Sequence, residues 1–133
     1  MKITDELIYR YTCGDCWILA LALNELTEWP LMLFGEWEDR RRAGRYEEVF
    51  MWNHAAVQSR PRFIVDIYGE QTAEKAAKPF VNMFYDGYYW RQFSYDEYMR
   101  EMADHAPYSK YKYNHAKRVA KSIMSNMKVG QSV

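Results

Sequence analysis

Three residues of this chain are of the types that perform acyl chemistry, and their neighbourhoods bring them within reach of one another. Cys16 opens an apolar stretch that reads as a helix, and the first turn of a helix favours an anion through its macrodipole and its unbonded N–H groups. Thiols at such positions lose their proton nearer to neutrality than the usual value of about 8.5, and the thiolate is the nucleophile that acyl transfer needs. His54 lies in a β-prone run, whereas His105 and His115 fall in the polar C-terminal part, so His54 is the base expected to serve Cys16. Asp66 lies in the next β-prone run. A hairpin loop centred on Arg60 pairs Val57 with Phe63, Ala56 with Ile64 and His54 with Asp66. Directly opposed side chains share a face at a Cβ separation of about 4.5–5.5 Å, which lets a carboxylate fix an imidazole tautomer.

The elements that must carry these residues follow from local pattern. Cys16 to Trp29 holds Trp17, Ile18, Leu19, Ala20, Leu21, Ala22, Leu23 and Leu26, and a helix apolar nearly all round is a buried one. Asp15 is expected to cap it and Pro30 to stop it. Leu31 to Phe34 reads as a short buried strand. Glu36 to Glu48, with Arg40, Arg41 and Arg42 in sequence, reads as a solvated loop. Glu48 to Gln58 and Arg62 to Tyr68 form the hairpin, and its face of Trp52, Ala56, Ile64 and Tyr68 is expected to receive the Cys16 helix. Thr72 to Phe84 begins as a helix that Pro79 should end, kink or restart. Tyr88 to Phe93 suggests a strand, Ser94 with Glu97 a capping box for a helix to about His105, and Asn114 to Met127 a last basic helix. The expected fold class is α+β with segregated helices and strands.

Composition sets the frame. A chain of 133 residues has room for one domain, and 49% apolar with 27% charged residues is ordinary for a globular protein. The longest apolar run, Trp17 to Leu23, is far short of the roughly 18 residues of a membrane span. Asp5 and Glu6 stand where a signal peptide would be apolar, so the expected location is the cytoplasm, with no membrane contact. The formal charges cancel at 18 against 18, but residues 107–133 carry six bases and no acid, which leaves the first 106 at minus six. Aromatic residues make up 17% of the chain, more than so small a core needs at Tyr85 to Trp90 and Tyr108 to Tyr113.

Gly14-Asp15-Cys16-Trp17 before an apolar helix resembles the Gly-x-Cys-Trp block that opens the central helix of papain-like and transglutaminase-like thiol enzymes. The order Cys16, His54, Asp66 is similar to the transglutaminase-like order Cys, His, Asp. The resemblance covers roughly residues 11–28 and 52–70. It implies a minimal core of this fold, a buried helix on a small antiparallel sheet with additional C-terminal helices. It further implies attack by Cys16 on an amide or thioester carbonyl, with His54 as base and then acid and Asp66 orienting it. The Cys16 backbone N–H would be one oxyanion donor, with Asp15, Trp17 and Cys13 as neighbours. The upstream glutamine of papain-like enzymes has no counterpart, since Tyr9, Arg10 and Tyr11 stand there, so the second donor is unassigned.

The implied activity is that of a cysteine hydrolase or acyltransferase (protease, deamidase or transglutaminase-like) working on a protein or peptide without a cofactor. The competing reading is an inactive interaction module of the same fold, of phage or virus accessory or inhibitor type, that binds another protein through its aromatic surface. Cys13 and Cys16 also have CxxC spacing at a helix start, which suits redox chemistry, although no long apolar strand precedes them. Zinc would need two ligands beyond the cysteines, and only His54 is placed to be one. The basic C-terminus, with Tyr108, Tyr111 and Tyr113, suggests a weak nucleic-acid contact against the simpler reading of a solvated helix and tail. So short a chain leaves little to build substrate subsites, and a partner or a second copy would complete the cleft.

Overall fold

A helix with no polar face must be covered on more than one side, and the second helix of this chain is. The computed structural model describes residues 1–81, 89–103 and 109–131. Helix α1 (Asp5–Thr12) is followed by α2 (Cys16–Thr27), then by strands β1 (Leu31–Arg42), β2 (Arg45–Arg60), β3 (Phe63–Asp66) and β4 (Gly69–Thr72). Helix α3 (Ala73–Val81), strand β5 (Tyr89–Phe93) and helices α4 (Tyr95–Met102) and α5 (Lys110–Gln131) complete the described chain. The strands form one antiparallel sheet in the order β4-β3-β2-β1-β5, so the molecule is a mixed α+β fold.

Every residue of α2 from Cys16 to Leu23 is buried. On one side lie Leu31, Leu33, Ala55, Val57, Val65 and Ile67 of the sheet; α5 packs on α2 as well, bringing Ala116, Val119, Ala120 and Ile123 into the same cluster. The small Ala116 and Ala120 allow the two helix backbones to approach closely. The opposite face of the sheet carries Met32, Phe34, Ala56 and Ile64, covered by Ala73, Ala76 and Ala77 of α3.

Several expectations are met. Glu28 takes the left-handed conformation at φ 63° and closes α2 just before Pro30. Both halves of the Ser94–Glu97 capping box form. Pro79 is accommodated inside α3. No helix of the described residues is long and apolar enough to cross a membrane.

Others are corrected. Glu36 to Glu48 is not a loop: β1 and β2 run on as a paired ribbon to a turn at Ala43 and Gly44, both at positive φ as a tight hairpin turn requires. Cross-strand hydrogen bonding, which charge content does not report, decides this. Helix α1 was not foreseen, although Thr4 accepts from the Leu7 N–H at 3.3 Å and Asp5 and Glu6 suit its first turn. Asp15 stands at the N-cap of α2 but makes no side-chain cap, because its carboxylate is held by Arg10 at 3.2 Å and faces Lys112 at 3.8 Å. Helix α4 ends at Met102 rather than near His105, and α5 starts earlier and ends later than expected. His105, Tyr108, Tyr88 and Phe84 lie outside the described residues.

The register of the β2–β3 hairpin also differs. Val57 opposes Val65 and Gln58 opposes Ile64, with an irregularity before Arg60 pairs with Phe63 across Pro61 and Arg62. Arg62, at φ 69°, supplies the left-handed residue of this turn. Relative to the expected pairing the strands are displaced by two residues, an even slip, which leaves Asp66 on the expected face.

Candidate active site

The site is built where strict alternation in β2 breaks. Phe34 opposes His54 while the next residue, Gly35, opposes Trp52, so Asn53 is an extra residue in β2. Upstream of this bulge Phe50 and Trp52 belong with the α2-side cluster; downstream, Ala55 and Val57 take over that side. His54 and Ala56 are thereby turned toward the other face, His54 with its ring edge against Phe34 at a centroid distance of 5.5 Å. The expected docking face of Trp52, Ala56, Ile64 and Tyr68 is therefore split. Trp52 packs beside α2, Ala56 and Ile64 lie under α3, and Tyr68 is 61% exposed. A Cβ at Gly35 would run into the carbonyl of Met51, so the bulge needs glycine opposite it.

Cys16, His54 and Asp66 are brought together. His54 Nε2 and Asp66 Oδ2 are 3.0 Å apart and both side chains are buried. They are diagonal rather than directly opposed, yet on one face and within reach of an imidazole. The carboxylate is itself fixed from two further sides. Gln71 Nε2 donates to Oδ2 at 2.9 Å, and the Tyr68 backbone N–H donates to Oδ1 at 2.9 Å across the β3–β4 turn. The second of these is a local Asx contact, available because Asp66 ends its strand. Gln71 was not foreseen; a polar residue on an unrecognised four-residue strand carries no signal of its partner.

His54 also hydrogen-bonds the Cys16 thiol. Burial pushes the imidazole down, but the hydrogen bonds to Asp66 and Cys16 and the charges of the same two groups outweigh it, and its pKa is raised from 6.5 to about 9. The imidazolium is thus the resting form at neutral pH. With Nε2 committed to Asp66, Nδ1 is the nitrogen left to serve the thiol.

The remaining expected neighbours fall into place around α2. Trp17 is buried, and its carbonyl oxygen accepts from the Tyr98 hydroxyl at 2.7 Å, which ties α4 to the first turn of α2. Burial raises the Tyr98 hydroxyl well above the ordinary tyrosine range, keeping it a donor. Cys13 ends α1 and is exposed, whereas Cys16 is 3% exposed; both are free thiols. His115 does not approach the triad but meets the Tyr11 hydroxyl at 2.7 Å through Nδ1. Among the described residues no group of three or more His, Cys, Asp or Glu is placed to hold a metal ion.

A cleft of about 700 Å³ opens beside His54 and Asp66. Thr12 and Cys13 form one wall, Tyr68 and Gln71 another, and Lys75 and Pro79 of α3 a third. Glu70 at its edge is engaged by Ser59 at 2.8 Å and Arg60 at 3.1 Å. The cleft is large enough for an extended side chain or a short peptide segment. Comparison of the chain with protein-family models, with curated proteins and with solved structures gives no match, so the reading of this site rests on its own geometry.

Proposed function

We propose that this protein is a thiol hydrolase or acyltransferase of papain-like or transglutaminase-like type, acting on an amide-type bond through Cys16, His54 and Asp66. The observation that carries the reading is the buried His54–Asp66 contact at 3.0 Å, with the same imidazole hydrogen-bonded to the thiol of a helix-opening cysteine. Cys16 attacks the carbonyl carbon as thiolate, and its sulfur forms the new bond while negative charge moves to the carbonyl oxygen. The Cys16 N–H, in the first turn of α2 where no intrahelical acceptor exists, donates to that oxygen. The His54 imidazolium gives its proton to the leaving nitrogen as the C–N bond breaks. The neutral imidazole then takes a proton from water or an amine, which displaces the thiol from the thioester. Asp66 holds the imidazole throughout.

A second reading is favoured by one observation, the 3% exposure of Cys16. In it the three residues form a structural polar cluster and the protein binds a protein partner. Alkylation separates the two. In a Cys13→Ser background, Cys16 is expected to react with iodoacetamide at pH 6 faster than the same thiol in the denatured chain, and His54→Ala is expected to slow it about tenfold or more. Reaction no faster than in the denatured chain, or insensitive to His54, overturns the enzymatic reading.

A further inference from the structure

The ribbon formed by β1 and β2 extends beyond the rest of the sheet. Strand β5 pairs with β1 only from Leu31 to Gly35, and β3 pairs with β2 only from Val57 to Arg60. From Glu36 to Met51 the two strands therefore have only each other. The seven rungs from Glu36–Met51 to Arg42–Arg45 span about 20 Å at about 3.3 Å per residue.

The root of this ribbon is stiffened. Trp37 meets Phe50 edge to face at 5.2 Å, Phe50 meets Phe93 at 5.7 Å, and the Arg91 guanidinium lies 4.4 Å over Phe93 while Glu97 holds it at 2.9 Å. The tip is different. Residues 40–46 carry Arg40, Arg41, Arg42 and Arg45 and no acid. Arg40 holds Glu38 at 3.3 Å, but among the described residues neither Arg41 nor Arg45 has a carboxylate partner. Tyr46 opposes Arg41 in the register, stands 77% exposed, and has the Arg41 guanidinium 6.0 Å from its ring.

We propose that the tip of this ribbon binds single-stranded nucleic acid, with Arg41 and Arg45 on successive phosphates and Tyr46 stacked on an adjacent base. Arginine offers the planar fork that suits phosphate, and an exposed aromatic ring beside a guanidinium is the pairing that holds an unstacked base. A duplex keeps its bases stacked and gives the Tyr46 ring nothing to lie against. Below the tip, Asp39 opposes Glu48 and Glu47 opposes Arg40, so acidic rungs repel the strand and confine it to the last 10 Å or so of ribbon. The basic helix α5 is the other positive element, but Lys112 faces Asp15 at 3.8 Å and the helix offers no aromatic ring as exposed as Tyr46.

The test is fluorescence anisotropy with a labelled oligo(dT) strand and the full-length protein at low salt. Binding is expected with a log–log salt slope of about −1.5, the value for two phosphates neutralised on a single strand. Arg41→Gln/Arg45→Gln is expected to weaken it about tenfold or more, and Tyr46→Ala about fivefold. Lys117→Glu/Lys121→Glu on α5 is expected to change it less than twofold, and unaltered thermal unfolding of each variant shows that the fold is kept. Absence of binding, equal affinity for a duplex, full binding by the arginine variant, or displacement by polyglutamate at equal charge would each overturn the proposal, the last pointing to an acidic protein instead.

Discussion

At the scale of single residues, His54 controls what the site does and how it responds to pH. Its proton is held to about pH 9 in the folded chain against 6.5 for an unperturbed imidazole. The folded state therefore binds more protons than the unfolded one in that window, so stability falls as pH rises. The contribution is whole below about pH 6.5, amounts to about 3 kcal/mol, and is lost as pH rises through about 9. Urea unfolding at pH 6 and at pH 9.5 should show this difference in the wild type and little of it in His54→Asn. Asp66→Asn removes the carboxylate that helps raise the imidazole, and its NMR titration is expected to move down by more than one unit. Gln71→Ala should leave the imidazole titration closer to wild type while slowing any Cys16-dependent reaction, because it loosens the carboxylate without removing its charge. The roles of Cys16 and Asp66 could be read from residue type and spacing. Gln71 could not, since a glutamine reveals its partner only when the strands are placed.

At the scale of elements, the sequence spoke clearly where one local pattern decides the outcome. The unbroken apolar run from Trp17 to Leu23 specifies a buried helix, and Ser94 with Glu97 specifies the start of α4. It was silent where pairing decides. Nothing local marks Asn53 as an extra residue, yet that bulge turns His54 to one face and leaves Trp52 on the other. The charged run at 36–48 likewise becomes strand because each side of the ribbon supplies the other's hydrogen bonds. Gly35→Ala tests the bulge directly. Its Cβ would strike backbone at Met51, and a loss of about 1–3 kcal/mol is expected from overpacking against a group that cannot rotate away. Reactivity of Cys16 should fall with it, because His54 is re-aimed; retention of full reactivity would separate the bulge from the site.

At the scale of the whole molecule, net neutrality hides a division between an acidic body and a basic C-terminal segment, most of it α5. That helix does not sit apart as a tail. Its Ala116, Val119, Ala120 and Ile123 complete the cover of α2, while Lys110, Lys117, Arg118 and Lys121 face solvent. A chain ending at residue 108 is expected to lose its cooperative unfolding transition, since one side of an all-apolar helix would be left in water. Thermal denaturation followed by far-UV circular dichroism checks this. Part of the aromatic excess is also accounted for at this scale: Trp37, Phe50 and Phe93 brace the ribbon, and Tyr11 and Tyr98 tie distant helices to the start of the chain.

Those last two ties set an order of events. Tyr98 reaches back 81 residues to the carbonyl of Trp17, and Tyr11 reaches forward 104 residues to His115. All three members of the proposed triad leave the ribosome before the groups that clamp the helix bearing Cys16. Contacts of such long sequence separation close late, because chain entropy must be lost before they form. During synthesis the thiol-bearing helix remains unclamped until α4 and then α5 have emerged, so the chain acquires its chemistry only once its last helix is made.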